Sequence, residues 1–218
     1  MKKNYIAIID YQLSNLFSVK HALDHLGMEC VITSKKRQIA EASGAILPGM
    51  GAFGDAMANL RKMGLIDVIQ THIEAKKPFM GVCLGFQLLF DESEEFGRHQ
   101  GLGVIKGKVK RFPETNKKGQ SLIVPHIGWN SIFYDTASKS AWRSSPLQAL
   151  KNHEYMYFVH SFYVQPSSKK MTSSYTDYQG FQFCSSVSEK NIFGTQFHPE
   201  KSGERGIQLY KHMFQALV

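Results

Sequence analysis

The sequence predicts an α/β fold built on a parallel sheet with helices on both faces, and three observations carry that expectation. Short apolar runs alternate with segments of helical spacing through the first ninety or so residues. A glycine-flanked cysteine, Gly81-Val-Cys83-Leu-Gly85, sits where an apolar strand would turn sharply into a helix. From Asp91 onward helical periodicity thins out and short strand-like runs take over.

The elements follow in order. Tyr5 to Ile9 is an apolar run ending at Asp10, and Asn15 to Gly27 carries Leu16, Val19, Leu23 and Leu26 at helical spacing before Gly27 stops it. Cys30 to Ile32 reads as a second strand, Arg37 to Glu41 as a brief helix, and Ala45 to Leu47 as a third strand closed by Pro48. The glycine-rich Pro48-Gly-Met-Gly51-Ala-Phe-Gly54 precedes a helix through about Met63, and Leu65 to Ala75 is helical again. Pro78 to Phe90 reads as a buried strand, a tight turn at Cys83 and an apolar helix. Beyond it Val104 to Phe112, Leu122 to Val124, Ser131 to Phe133, Tyr155 to Val159, Met171 to Thr176, Phe181 to Val187 and Asn191 to Phe197 read as strands. Ser144 to Leu150 is a capped helical turn or two, and Gly203 to Val218 closes the chain with Ile207, Tyr210, Phe214 and Leu217 on one face. No repeat or linker divides these segments, so residues 2–218 are expected to form one domain.

Composition narrows the function classes. The 218 residues are 43% hydrophobic, ample for a core. Three cysteines without C-x-x-C spacing suggest neither a disulfide framework nor a zinc site, and no metal or other cofactor is expected. Together with an opening apolar run too short for a signal peptide or membrane span, this points to a cytoplasmic protein. The net charge of +8 comes from lysines and arginines scattered over the chain, which reads as a solvated basic surface with no nucleic-acid stripe.

The chemistry gathers at strand ends. In open parallel sheets sites lie beyond the carboxyl ends of the strands, so Asp10, Gly49 to Gly51 and Cys83 belong on one rim. A cysteine on an elbow gains from the helix N-terminus, whose dipole favours thiolate, and the N–H of Leu84 is aimed at the oxyanion that forms when sulfur attacks a carbonyl. The Gly49-Met50-Gly51 loop lacks P-loop and dinucleotide spacing. It is either a second oxyanion donor or a plain tight turn. His198 and Glu200 stand two apart, and in extended backbone kept so by Pro199 their side chains leave on the same side. Glu200 then fixes the tautomer of a His198 base serving Cys83.

Gly81-Val-Cys83-Leu-Gly85-Phe-Gln87 with His198-Pro-Glu200 resembles the class I glutamine amidotransferases. Leu47 to Leu60, Val124 to Asn130, Tyr157 to Tyr163 and Gly194 to Ser202 resemble in particular the glutaminase subunits of histidine biosynthesis. That resemblance runs from residue 5 to the C-terminal helix, and it implies the amidotransferase-like fold, with a smaller antiparallel sheet beside the main one. It implies that Cys83 attacks glutamine, that Leu84 and Gly49 to Gly51 hold the oxyanion, and that His198 and Glu200 complete a triad. Gln87, His160 and Ser161 match substrate-binding positions, although Gln87 fits equally as a cap on a local carbonyl. The implied partner is a HisF-type (β/α)8 cyclase barrel forming a heterodimer, with Asn15, His126, Trp129, Asn130 and Lys201 in partner-facing or gating stretches. Trp129 as a packed aromatic, Lys201 as a solvated charge and His126 as a structural hydrogen-bonder are the alternatives.

One stretch departs from the family pattern. Asp10-Tyr-Gln12-Leu-Ser14-Asn15 replaces two usual glycines, which is expected to deny the loop positive-φ backbone and alter its shape. Together with Ala141 to Pro146, which resembles paralogues that supply ammonia for amidino sugars of surface polysaccharides, it leaves that acceptor as an alternative. A non-catalytic regulatory subunit is the third reading.

Overall fold

A computed structural model describes residues 4–13 and 15–215 of the chain. From the amino end it runs β1 (Ile6–Ile9), α1 (Leu16–His25), β2 (Cys30–Thr33), α2 (Lys36–Glu41), β3 (Gly44–Leu47), α3 (Phe53–Lys62), α4 (Ile66–Glu74) and β4 (Phe79–Val82). These match the segments read from periodicity to within about two residues, the spread with which element ends are defined at all. Then follow α5 (Leu84–Gln87), β5 (Phe90–Ser93), β6 (His99–Gln100), β7 (Ile105–Arg111), β8 (His126–Ile132), α6 (Lys139–Arg143), β9 (Glu154–His160) and β10 (Phe162–Pro166). The remainder is β11 (Thr172–Tyr178), β12 (Phe181–Glu189), β13 (Ile192–Thr195) and α7 (Gly203–Phe214). Ser14 and the last helical residues anticipated from sequence, 216–218, lie outside the described residues.

The main sheet has the order β2-β1-β3-β4-β13-β12-β10-β7-β5-β6, with β11 paired to β12. Pairing is parallel from β2 through β13 and mainly antiparallel beyond it, and β8 and β9 form a separate antiparallel ribbon. The expected architecture, a mostly parallel central sheet with a smaller antiparallel one, is therefore present. Alternation along β1 divides the core: Ala7 and Ile9 pack with Phe53, Leu60 and Ile69 on one face, while Ile6 and Ile8 pack with Val19, Leu23, Leu209 and Phe214 on the other.

Two expectations fail. The apolar helix predicted to run from the elbow through Phe90 is only the four residues of α5, and Phe90 opens a strand. The carbonyls of Leu88 and Leu89 accept from the backbone N–H groups of Leu102, Val104 and Ile105, so a later loop takes acceptors that a longer helix would have used. Leu122 to Val124 is likewise no strand, and the strand read at Ser131 to Phe133 begins earlier, at His126. Helix α6 was not anticipated, because Lys139–Arg143 offers a single buried side chain, Trp142, and no period to read.

Candidate active site

Cys83 sits between β4 and α5 with φ of 54° and ψ of −110°, left-handed backbone that a non-glycine residue occupies only under constraint. The constraint is visible on both sides. The Cys83 N–H donates to the Thr195 carbonyl at 2.8 Å. A Cβ on Gly85 would lie 1.8 Å from the Leu47 carbonyl oxygen, and one on Gly81 would lie 2.9 Å from the Phe86 Cα. The flanking glycines thus let β3, β4 and α5 close on one another, as the elbow pattern requires. The dipole argument for Cys83 needs correction: one turn of helix sums few peptide dipoles, and only the local N–H groups remain.

His198 and Glu200 do meet, although not as predicted. Strand β13 ends at Thr195, and Pro199–Lys201 is a 3-10 turn instead of extended backbone. The turn brings His198 Nδ1 to 2.7 Å from Glu200 Oε1, with the glutamate side chain nearly fully buried. The Tyr210 hydroxyl donates to the other carboxylate oxygen at 3.2 Å. Backbone contacts fix the turn: the His198 N–H donates to the Tyr157 carbonyl, and the Ser202 hydroxyl donates to the His198 carbonyl at 2.6 Å. Burial works against a charged imidazole, yet the Cys83 sulfur and the Glu200 carboxylate outweigh it and raise His198 to about 10. Its Nε2 is buried without a conventional hydrogen bond, so the sulfur is the polar group left for it to serve.

A cavity of about 650 Å³ joins these groups. Cys83, Leu84, Gln87, His160, Ser161 and His198 line it, with Asn15, Met50, Gly51 and Lys201 at its margin. A larger cleft of about 880 Å³, lined by Tyr5, Glu29, Cys30 and Lys77, opens at the amino ends of the strands; no histidine lines it, and burial together with the Asp24 carboxylate, 3.7 Å from the sulfur, pushes the Cys30 thiol up to about 11. Gly49 packs behind the cavity wall, where a Cβ would stand 2.3 Å from the Tyr11 hydroxyl and 2.9 Å from Leu84 Cβ. The Met50 N–H, one of the expected oxyanion donors, donates instead to the Leu13 carbonyl at 3.1 Å. Gln87 does cap a carbonyl, donating from Nε2 to Phe162 O at 2.9 Å, while still lining the cavity.

The gating stretch divides by strand alternation. Ile127, Trp129 and Tyr155 point outward from the β8–β9 ribbon and are more than half exposed, and Lys201 lies over the Tyr157 ring at 5.8 Å. His126 is 2% exposed, so it cannot present its side chain to a partner. It bonds His160 at 3.1 Å, and Asn130, also turned inward, donates to the Asp177 carbonyl at 2.9 Å. Burial pushes His126 down to about 4 and His160 to about 3, keeping both neutral. Gln12 holds φ of 74°, so the first-strand loop keeps its positive-φ backbone despite the lost glycine; Asp10 Oδ1 steadies it by accepting from the Gln12 N–H at 2.9 Å.

Two residues at the site were missed. Glu95 lines the cavity, accepts from the Phe53 N–H at 2.7 Å, and has its carboxyl pushed up by burial. Its only sequence signal was its place in the Ser93-Glu-Glu-Phe-Gly97 loop. Tyr210 read simply as one apolar position of a helix face. Among the described residues no cluster of three or more His, Cys, Asp or Glu could hold a metal ion, and no helix is long and apolar enough to cross a membrane.

Known proteins resemble this chain over nearly its whole length. The family model described as glutamine amidotransferase class-I matches residues 7–216. "Imidazole glycerol phosphate synthase subunit HisH" of Syntrophotalea carbinolica is 44% identical, the match covering 95% of this chain and 98% of that protein. The HisH subunit of Aquifex aeolicus is also 44% identical, over 94% of this chain and 93% of its own. Among solved structures, PurLQS from Thermotoga maritima superposes with a TM-score of 0.73 at 22% identity, each chain fully covered. The glutaminase domain of Trypanosoma brucei CTPS with bound acivicin gives 0.64 at 16% identity, over 98% of this chain and 94% of that one. At such identities these two speak to the fold alone.

Proposed function

The chain belongs to the class-I glutamine amidotransferase family, and from that premise we propose how its cavity works within the role its relatives carry. It is the glutaminase subunit of imidazole glycerol phosphate synthase, releasing ammonia from glutamine for histidine biosynthesis. The observation that carries the chemistry is one cavity holding Cys83 on strained backbone and a His198 ring bonded to buried Glu200 at 2.7 Å.

Cys83 sulfur attacks the side-chain amide carbon of glutamine, and His198 passes its proton to the departing nitrogen, which leaves as ammonia. A γ-glutamyl thioester remains, and His198 then takes a proton from water as it attacks. Glu200 holds the tautomer and stabilises the imidazolium, with Tyr210 occupying its second oxygen. The Leu84 N–H faces the developing oxyanion, and the Met50 N–H joins it once the loop releases Leu13. Glu95 supplies a carboxylate for the α-ammonium of the substrate, with Gln87, His160 and Ser161 shaping the rest of the cavity.

Subunit naming among the relatives implies a complex, and the partner that fits is a HisF-type (β/α)8 barrel. Exposed Phe17, Met50, Ile127 and Trp129 give the rim an apolar face for it. Ammonia is largely protonated in neutral water and then non-nucleophilic, so direct passage into the barrel preserves its reactivity. Relatives named HisH over nearly the whole length favour histidine over an amidino sugar as the destination, and the assembled triad argues against a purely regulatory subunit. We place the protein in the cytoplasm, as one domain.

The test is synthesis by the reconstituted pair. Cys83→Ala is expected to lower glutamine-dependent formation of imidazole glycerol phosphate by about 10⁴-fold or more while leaving the reaction with ammonium salts intact. Loss of both would refute this division of labour.

A further inference from the structure

Gln196 belongs to the motif that carries His198, yet the mechanism above gives it no part. Its side chain is fully buried, and it reaches the nucleophile: Nε2 lies 3.8 Å from Cys83 Sγ, while Oε1 accepts from Gln87 Nε2 at 3.0 Å. Side-chain amides can turn over by 180°, so the question is whether the nitrogen or the oxygen of Gln196 faces the sulfur. The neighbourhood answers it.

The Phe162 carbonyl is an acceptor that cannot be reversed. Gln87 approaches it at 2.9 Å and must therefore present its NH2 end there. That same NH2 group faces Gln196, so Gln196 must present oxygen to Gln87, which leaves its own NH2 for the sulfur. A reversed Gln196 would oppose two donors, and reversing Gln87 as well would set its oxygen against the Phe162 oxygen. One backbone carbonyl thus fixes the polarity of the whole line to Cys83.

A second line holds that carbonyl in place. His160 Nδ1 lies 2.8 Å from Phe162 O and must carry the proton, which makes its Nε2 the acceptor for His126 Nδ1 at 3.1 Å. His126 Nε2 in turn accepts from Asn130 Nδ2 at 3.4 Å. Both histidines are buried, so their tautomers follow from the direction of the chain.

We propose that Gln196 is a further catalytic residue of the glutaminase reaction, donating a side-chain N–H to the Cys83 sulfur. The proposal rests on the reading of Cys83 as nucleophile. Sulfur carries negative charge twice in the cycle: before attack, and again when water adds to the thioester carbon, the C–S bond breaks and its electron pair returns to sulfur. An N–H donor favours the charged sulfur at both points. The one-turn helix α5 makes such a donor necessary, because it lacks the summed dipole that a longer helix would provide.

Alkylation of Cys83 by iodoacetamide at pH 7, followed by mass spectrometry of its peptide, reads the charge on sulfur without glutamine or partner. Gln196→Met, similar in length but without a donor, is expected to slow alkylation roughly tenfold. Gln196→Asn, which withdraws the amide by one methylene, should slow it several-fold and serves where the methionine variant fails to fold. In the reconstituted pair the loss should fall on kcat, with KM for glutamine changed less than about threefold. An alkylation rate within about twofold of wild type in a folded variant overturns the bond. A wild-type pair that releases no glutamate would count against the glutaminase reading instead, and the alkylation rates would still judge the bond.

Discussion

The two halves of the active site stand in different states. On the sulfur side Cys83, Gln196, His198 and Glu200 are all buried and interlinked, because β13 pairs in parallel with β4 and its Thr195 aligns with Val82. Sheet register therefore delivers nucleophile and base to the same rim. On the oxyanion side Met50 is 57% exposed, and its N–H is committed to Leu13, a residue of another loop. Loop-to-loop contacts join the two loops of this half, the Tyr11 hydroxyl to the Pro48 carbonyl at 2.9 Å and Met50 to Leu13, and Asn59 of α3 ties the first of them down through the Tyr11 carbonyl at 3.1 Å. In the proposed mechanism the group that attacks is built into the core, whereas a group proposed to stabilise the product of attack is held by Leu13 until a partner releases it.

The sharpest way to break this comparison is to measure glutamate release with and without a barrel partner carrying its acceptor. The chain alone should be slower by about 10²- to 10³-fold, the usual value of one oxyanion donor. Equal rates would mean that the Leu13 to Met50 bond is no latch. A smaller effect separates members of the sulfur side. Glu200→Ala should lower kcat by about 10²-fold, and Tyr210→Phe, which leaves the His198 to Glu200 bond standing, by less than tenfold. Equal losses in the two variants would show that the tyrosine, not the histidine, is what Glu200 serves. The smallest effect lies in the latch loop. Gln12→Gly removes a left-handed non-glycine residue that costs about 1 kcal/mol, so the thermal midpoint should rise by roughly 2–4 °C. An unchanged or lower midpoint would show that the extra backbone freedom of glycine in the unfolded chain outweighs the relief of strain, since the Asp10 bond to the residue-12 N–H is kept in both.

How much of this was legible in the sequence depends on whether a residue's partner was near or far along the chain. The β1 to β4 half was readable because apolar spacing is a local signal and parallel strands buried on both faces read as apolar runs. The elbow and the His198, Glu200 pair were readable as motifs, yet the way the pair meets was not, since a 3-10 turn held by Tyr157 and Ser202 depends on contacts more than forty residues apart. Glu95 carried no signal beyond its place in a polar loop, because its value lies in which cavity it borders. His126 and Trp129 stood in one motif with one expected role, and only strand alternation against β9 sends one inward and the other out. The shortness of α5 was invisible for the same reason: the residues that end it come from 102–105.

That alternation has a further consequence for how the chain can change over time. In the β8–β9 ribbon the outward face bears Ile127, Trp129 and Tyr155, and the inward face bears His126, Phe158 and His160 beside the cavity. Gaining or losing one residue in either strand would exchange the two faces, sending histidines into solvent and aromatic surface into the pocket. Descendants of this sequence can therefore alter the proposed docking face by substitution, side chain by side chain, but the ribbon's length is closed to single insertions and deletions. Drift in partner preference and constancy of the glutamine pocket are written on opposite sides of the same two strands.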